Sequence, residues 1–358
     1  MEHAAIALVI FALTAALSAA LVSRAILLSF RLGLLDQPNP RRVNLTPLPN
    51  AGGAAVFLAF VFGLTLSFSF DIQRIGAEPE RLVLLLGGSC LVVGFMIYDD
   101  AIGIPAWLKL AAQSIIAALV VLPRLRGRGH GIVLDNFNLP IAGQVTLPLL
   151  AAIALTIFWI VGMMNTLNLL DGLDGLAASV TLIACAVLFA HTYFWPRRDP
   201  QFTISILPLV LGAAVLGFLP FNWYPSRIIL GDAGANFLGF ALAVLSIIGG
   251  AKIATALLAL GLPVLDVAWV IAYRAAHGRS PLGADRGHLH HRLLDRGWSQ
   301  ARIVQFVAGV SAVFGVLALV LPTRGLKLGA ILALGLVLLS TVGGLALTDR
   351  SSGTDATK

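Results

Sequence analysis

Residues 146–194 read TLPLLAAIALTIFWIVGMMNTLNLLDGLDGLAASVTLIACAVLFAHTYF. The apolar runs 146–163 and 176–194 are each long enough to cross bilayer hydrocarbon, which takes about 17–25 residues of helix. Amides, acids and glycines separate them, with no room for a soluble domain. The pattern predicts two membrane helices whose connection carries chemistry. Applied to the rest of the chain, the same test finds apolar runs near 4–23, 51–70, 82–98, 107–123, 203–219, 237–252, 255–273, 303–321 and 326–346. Only Lys252 separates the runs at 237–252 and 255–273. The expected fold is all-α: a polytopic membrane bundle of about eleven transmembrane helices. One domain spans 1–346, followed by a polar, disordered tail over 347–358; no internal repeat is visible.

Composition points the same way. Of 358 residues, 58% are hydrophobic and 11% are charged, against roughly 25% charged in a soluble domain. Lipid as solvent removes the need for a charged surface. The net charge of +7 does not indicate a nucleic-acid partner, because the basic residues lie between apolar spans and not in an aromatic-rich soluble module. Cys90 and Cys185 sit in apolar stretches without a CxxC pair, which suggests neither a metal site nor a disulfide framework. The first basic residue is Arg24, so residues 4–23 read as a first span and not as a cleavable leader.

Lys and Arg set the orientation, since they concentrate in cytoplasmic loops. With the N-terminus outside and the C-terminus inside, 14 of the 24 fall on the inner face. The most basic loop there holds Arg274, Arg279, Arg286, Arg292, Arg296 and Arg302. The outer segment 124–145, punctuated by glycine and proline, predicts a short β-hairpin. On this topology the polar clusters share the inner face. They are DQPNPRRVNLTPLPNAGG (36–53, with Arg42), Asp99-Asp100, NTLNLLDGLDGLAA (165–178), GDAGANFLGF (231–240) and DRGHLHHRL (285–293). The outer loops are generic. A polar active-site cleft at the cytoplasmic boundary is expected.

Each cluster has a bland reading beside the functional one. Asp99 and Asp100 are either a solvated helix end or a site for a divalent cation or proton transfer, since Mg²⁺ takes oxygen ligands and boundary acids are costly. Lys109 and Gln113 follow one to three turns later, where either both face a phosphate or Lys109 snorkels to the interface. Asn168, Asp171 and Asp174 are spaced by three, so a helical turn would bring each pair to one side. With Asn165 they make a run that a purely structural role explains poorly. Gly172 and Gly175 suit either close approach of a nucleotide or helix packing. Asp232 is either a helix N-cap or a carboxylate presented with backbone N–H groups to a metal–phosphate complex. Asp266 reads as structural, paired with Arg274 or nearby backbone. Arg286, His288, His290, His291 and Arg292 lack the cysteine or zincin-spaced carboxylate of a zinc site and suit a pyrophosphate better. Carboxylates for a metal, cations for phosphate and amides for a polar heterocycle or sugar suit phosphoryl transfer. In a membrane, one substrate is then a lipid phosphate.

From about Gly33 to Arg302, these motifs in this order resemble the polyprenyl-phosphate N-acetylhexosamine-1-phosphate transferases. NTLNLLDGLDGLAA and HLHHRLLDRG are the most specific. The resemblance implies ten or eleven spans, a cytoplasmic cleft, and dependence on Mg²⁺ or Mn²⁺. It implies that Asp99 activates or positions the lipid phosphate with Asp100 beside it, and that Asn168, Asp232 and Asp100 lie at the metal and pyrophosphate. Asp171 and Asp174 match the nucleotide segment, with Asp174 the candidate for uracil. His288, His290, His291 and Arg292 match the loop holding pyrophosphate and sugar. Catalytic roles are thus expected at Asp99, Asp100, Asp171, His290 and His291, and substrate contacts at Arg42, Lys109, Asn165, Asp174, Arg286, His288 and Arg292.

The implied reaction is attack of undecaprenyl phosphate on the sugar-linked phosphorus of a UDP-sugar, releasing UMP, at the bacterial plasma (inner) membrane. A homodimer is consistent with the resemblance. HLHHRL is similar to the GlcNAc-1-phosphate transferases that start O-antigen, enterobacterial common antigen or teichoic acid linkage units. The phospho-N-acetylmuramoyl-pentapeptide branch usually carries three successive histidines and then an acid; here Leu289 interrupts and Arg292 follows. In the first inner loop Asn44, Leu45, Thr46 and Asn50 stand where relatives tend to carry His or basic residues, which bears on sugar preference. A secondary transporter would suit many spans with midplane acids, but these acids cluster at one face and no inverted repeat is visible. A structural scaffold leaves the acidic motifs unexplained.

Overall fold

The helix pair anticipated over 146–194 is present as the fifth and sixth helices of the chain. A computed structural model describes residues 2–37, 46–72, 74, 76, 78–139, 143–194, 201–250, 253–278 and 287–351. In chain order the helices are α1 (Glu2–Leu32), α2 (Gly52–Leu66), α3 (Glu78–Ile102), α4 (Ala106–Val121), α5 (Leu149–Leu170), α6 (Leu176–Phe194) and α7 (Phe202–Asn222). They continue as α8 (Gly231–Ile248), α9 (Ile253–Ala259), α10 (Gly261–Ala276), α11 (Leu289–Asp295), α12 (Gln300–Val320) and α13 (Arg324–Ser351).

Among the described residues, nine helices are long and apolar enough to cross a membrane. These match nine of the eleven expected spans, and the eleventh falls on α13, apolar over Gly325–Thr341. The run at 255–273 is different. It is not one straight helix but α9 and α10, which meet at 84°. Pro263 supplies the reason: it has no N–H to give to Ala259, and its ring would clash with that carbonyl. α13 continues to Ser351, into the segment read as a disordered tail; residues 352–358 lie outside the described residues.

α8 is the axis of the bundle, with 94% of Gly231–Ile248 buried. It packs on α5, α3 and α2, while α7 lies between α1 and α6. α2 approaches α8 through backbone: a Cβ on Gly53 would collide with the Gly234 backbone, and Gly53 N donates to Leu230 O at 2.9 Å. Small residues at such crossings let two helices touch without intervening side chains.

Two small antiparallel ribbons complete the fold. β1 (Leu35–Asp36) pairs with β2 (Leu48–Pro49), and Ile229 N donates to Pro49 O at 3.0 Å, fastening this loop to the start of α8. β3 (Asn136–Leu139) pairs with β4 (Gly143–Thr146), as expected from segment 124–145. Near that hairpin, Glu80 accepts from Gly131 N at 3.1 Å and meets His130 Nδ1 at 2.7 Å. Asp99 lies 19 residues further along α3, about 28 Å at 1.5 Å per residue. The hairpin and the acidic motifs therefore sit at opposite ends of a membrane-length helix.

Candidate active site

Asp99 ends α3 with its side chain nearly buried. Gly103 N donates to its carbonyl and Ile104 N to Oδ1, each at 2.7 Å, which turns the chain toward Pro105 and α4. One turn into α4, Lys109 reaches back to pair with Asp99 Oδ2 and lies 3.2 Å from Asp232 Oδ2. Asp99, Asp100 and Asp232 bring carboxylate oxygens within 4.8 Å of one another. Three carboxylates meet one ammonium here, and their oxygen-only donors fit a hard divalent cation. Asp232 does not cap α8, contrary to one expected reading. The helix starts at Gly231, with Leu230 at the N-cap, and the Asp232 side chain turns to Lys109. Gly231 has φ +72° and the Asn50 amide packed against it, so this entry to the helix is made by glycine.

Three amides brace the acids. Asn165 Nδ2 donates to Gln113 Oε1 at 2.8 Å, Gln113 Nε2 to Asn236 Oδ1 at 2.7 Å, and Asn236 Nδ2 to Asp232 O at 2.9 Å. Gln113 and Asn236 are buried. The chain ties α4, α5 and α8 together behind the carboxylates. Asn165 also donates to Val161 O at 2.8 Å, so its amide nitrogen braces helices.

The connection between α5 and α6 is a short turn, as the break between the two apolar runs indicated, but the Asn165 and Asn168 positions lie on α5 itself. α5 stops at Leu170, and Asp171 is its C-cap. Asp174, also buried, accepts from Ser226 N at 3.0 Å. Gly175 N donates to Asn222 Oδ1, and Asn222 Nδ2 to Ile228 O, each at 3.0 Å. The glycines after each acid interrupt the helix, and the segment after α7 clamps the turn in place. Asn168 remains on α5, half-buried and two residues from its end.

The histidines meet this turn from the other side. His288 is the N-cap of α11. Its Nδ1 lies 2.9 Å from Asp266 Oδ2, and Leu289 N donates to Asp266 Oδ1 at 2.9 Å. The reading of Asp266 is corrected here: its partners are this histidine and the backbone beyond it, which tie α10 to the start of α11. His290 stacks between His288 and His291, with ring centroids 5.9 and 4.3 Å away. A Cβ added to Gly172 would come within 3.0 Å of His290 Nε2. Burial, with His291 and His288 beside it, pushes the His290 ring down to about 3. His290 is therefore a neutral imidazole at neutral pH, not one of the cations expected of this cluster. Its Nε2 has no hydrogen-bond partner among the described residues. Arg292 Nε donates to Gly287 O at 2.8 Å. Arg42 and Arg286 lie outside the described residues.

The fold thus gathers Asp99, Asp100, Lys109 and Asp232 into one cluster. It brings Asp171, Gly172, His288 and His290 into another, and α5 joins the two. Gln113 and Asn236, noted beside the expected site, brace it; Asn222 and Asp266 were not on it, and a polar residue inside an apolar run was the signal that marked them.

Carboxylates, an ammonium and buried imidazoles at one end of a membrane bundle define the class: an integral membrane transferase. Residues 82–250 match glycosyl transferase family 4. A probable undecaprenyl-phosphate N-acetylglucosaminyl 1-phosphate transferase of Bacillus subtilis (strain 168) is 29% identical, over 90% of this chain and 86% of the relative. A decaprenyl-phosphate N-acetylglucosaminephosphotransferase of Mycobacterium tuberculosis (strain ATCC 25618 / H37Rv) is 30% identical, over 87% and 83%. A phospho-N-acetylmuramoyl-pentapeptide-transferase of Lactobacillus johnsonii is 34% identical but covers only 56% and 61%. The chain belongs to glycosyl transferase family 4, the polyprenyl-phosphate N-acetylhexosamine-1-phosphate transferases.

Proposed function

We propose that the protein transfers GlcNAc-1-phosphate from UDP-GlcNAc to undecaprenyl phosphate, releasing UMP. The product would start a cell-surface polysaccharide at the cytoplasmic face of a bacterial plasma membrane. The observation that carries this reading is the Asp99–Asp100–Lys109–Asp232 cluster, joined through α5 to the turn and histidines at Asp171 and His290. Near-complete coverage by N-acetylglucosaminyl-phosphate relatives, against partial coverage by the pentapeptide branch, favours GlcNAc.

A lipid phosphate oxygen forms a bond to the sugar-linked phosphorus while the bond from that phosphorus to the UMP oxygen breaks, and UMP leaves with the electron pair. Both oxygens of Asp99 already accept from Ile104 N and Lys109. Asp99 therefore positions the ammonium, and Lys109 offsets charge on the approaching phosphate. Asp100 and Asp232, with Asp99, would hold Mg²⁺ or Mn²⁺; bound there, such an ion neutralises pyrophosphate charge. Asn168 lies on the α5 face that leads from this cluster to the turn. Asp171 and Asp174 hold the nucleotide turn. His288, oriented by Asp266, and His290 and His291 meet the sugar and pyrophosphate as hydrogen-bonding imidazoles, with Arg292 beside them.

The test is UMP release by purified protein with undecaprenyl phosphate and Mg²⁺, comparing UDP-GlcNAc with UDP-MurNAc-pentapeptide. Release with UDP-GlcNAc alone is expected. Release with the pentapeptide alone would move the protein to peptidoglycan synthesis, and no release with any UDP-sugar would overturn the reading.

A further inference from the structure

The segment from Pro49 to Gly53 lies along the start of α8 and is fastened by backbone alone. Ile229 N donates to Pro49 O at 3.0 Å, Asn50 N to Leu34 O at 3.2 Å, and Gly53 N to Leu230 O at 2.9 Å. None of these bonds uses the Asn50 side chain. That side chain packs on Gly231, the residue before Asp232.

The two ends of the Asn50 amide meet different surroundings. A Cβ on Gly231 would collide with Oδ1, while Nδ2 would stand 3.5 Å off. The hydrogen that glycine carries in that direction therefore points at the oxygen. Oδ1 is buried and has no hydrogen-bond partner among the described residues, and a Cα–H contact is a weak substitute. Nδ2 is not sealed off in the same way. Asn50 is only partly buried, and its nitrogen has no acceptor among the described residues. The reverse orientation would press two N–H donors onto carbon and leave both unmade. The fold thus spends the acceptor end of the amide on packing and holds its two donors in place, one residue from the Asp232 carboxylate.

This position selects the ligand atom. Asp232 belongs to the cluster of Asp99 and Asp100, where the proposed reaction sets the pyrophosphate. Asp174, on the nucleotide turn, is tied to Ser226, earlier in the segment between α7 and α8. Donors fixed before the substrate arrives suit a phosphoryl group, whose non-bridging oxygens carry the charge of the transition state.

We propose that Asn50 Nδ2 donates to a non-bridging oxygen of the sugar-linked phosphate, the one that is attacked, and so distinguishes a diphosphate ligand from a monophosphate. The identity of that substrate rests on the proposed function. The test is calorimetric binding of UMP, UDP and UDP-GlcNAc to the full chain in nanodiscs with Mg²⁺, for the parent, Asn50→Asp and Asn50→Leu. Both substitutions keep the branched outline of asparagine against Gly231 and remove its N–H donors; thermal unfolding checks that each variant folds.

Affinity for UDP and for UDP-GlcNAc is expected to fall about tenfold or more in both variants, as for a lost hydrogen bond to a charged group. UMP affinity should stay within about twofold, and kcat/KM for UDP-GlcNAc should fall at least as far as its affinity. Unchanged UDP affinity in both variants would overturn the proposal. Equal losses for UMP and UDP would also overturn it, since a general distortion of the site weakens both. A loss for UDP-GlcNAc without one for UDP would move the contact to the sugar and reject the phosphate. A parent that shows the expected selectivity but releases no UMP from any UDP-sugar would keep the contact and overturn the proposed reaction instead.

Discussion

A carboxylate in an apolar helix persists when its charge has partners, and Asp266 has His288 and the Leu289 amide. Asp266→Ala is expected to lower thermal stability by about 1–3 kcal/mol. It should also raise KM for UDP-GlcNAc several-fold, because α11 and its imidazoles lose their anchor; thermal unfolding and initial rates check both. Asp99→Asn should abolish UMP release while UMP binding, followed calorimetrically, survives.

His290 predicts a pH effect with a definite sign. Its folded value of about 3 lies below the ~6.5 of a free imidazole. Between these values the unfolded chain takes up a proton that the fold refuses. Stability present above pH ~6.5 is therefore lost as pH falls toward the folded value. The melting temperature between about pH 7 and pH 5 should fall less steeply in His290→Gln than in the parent. At this scale the residue types were legible and the partners were not. Lys109 and Asp232 are 123 residues apart, and nothing local assigns Asp266 to a histidine in a later loop.

The presence of each spanning helix followed from apolar length, because lipid forces each backbone polar group into helix, while boundaries shifted where helices run past the apolar stretch, as α1 does to Leu32 and α5 to Leu170. Apolar length does not register direction. The bend between α9 and α10 lies inside a run whose hydrophobicity is continuous, and only Pro263 hints at it. The connection after α5 lies between the two spans, as expected, but starts later than the apolar run ends: α5 runs on to Leu170, and the two glycines and the Asn222 clamp set the backbone of the turn that follows. The α2–α8 contact gives the prediction proper to this scale. Gly53→Val places a branched side chain against the Gly234 backbone, which cannot change rotamer to make room. It should cost at least the roughly 1–3 kcal/mol of ordinary overpacking and lower turnover, since Asp232 rides on the displaced helix. Thermal unfolding and UMP release read the two effects.

For the whole molecule, the sequence assembled its polar motifs on one face by counting spans, and the separation of Asp99 from the Glu80–His130 tie along α3 agrees with that grouping. Which face is cytoplasmic is open to direct measurement. In intact cells, a membrane-impermeant maleimide should label Arg128→Cys, near the hairpin, and reach Ser299→Cys, at the start of α12, only after permeabilisation. The reverse pattern would invert the proposed orientation.

The burial of α8 carries a consequence for traffic. With 94% of that helix enclosed by its neighbours, the bundle is plugged along its axis, and a hydrated sugar has no thoroughfare from one leaflet to the other. The finished glycolipid leaves on the side that supplied its reactants. Any crossing to the far leaflet would then need a route other than the axis of this bundle.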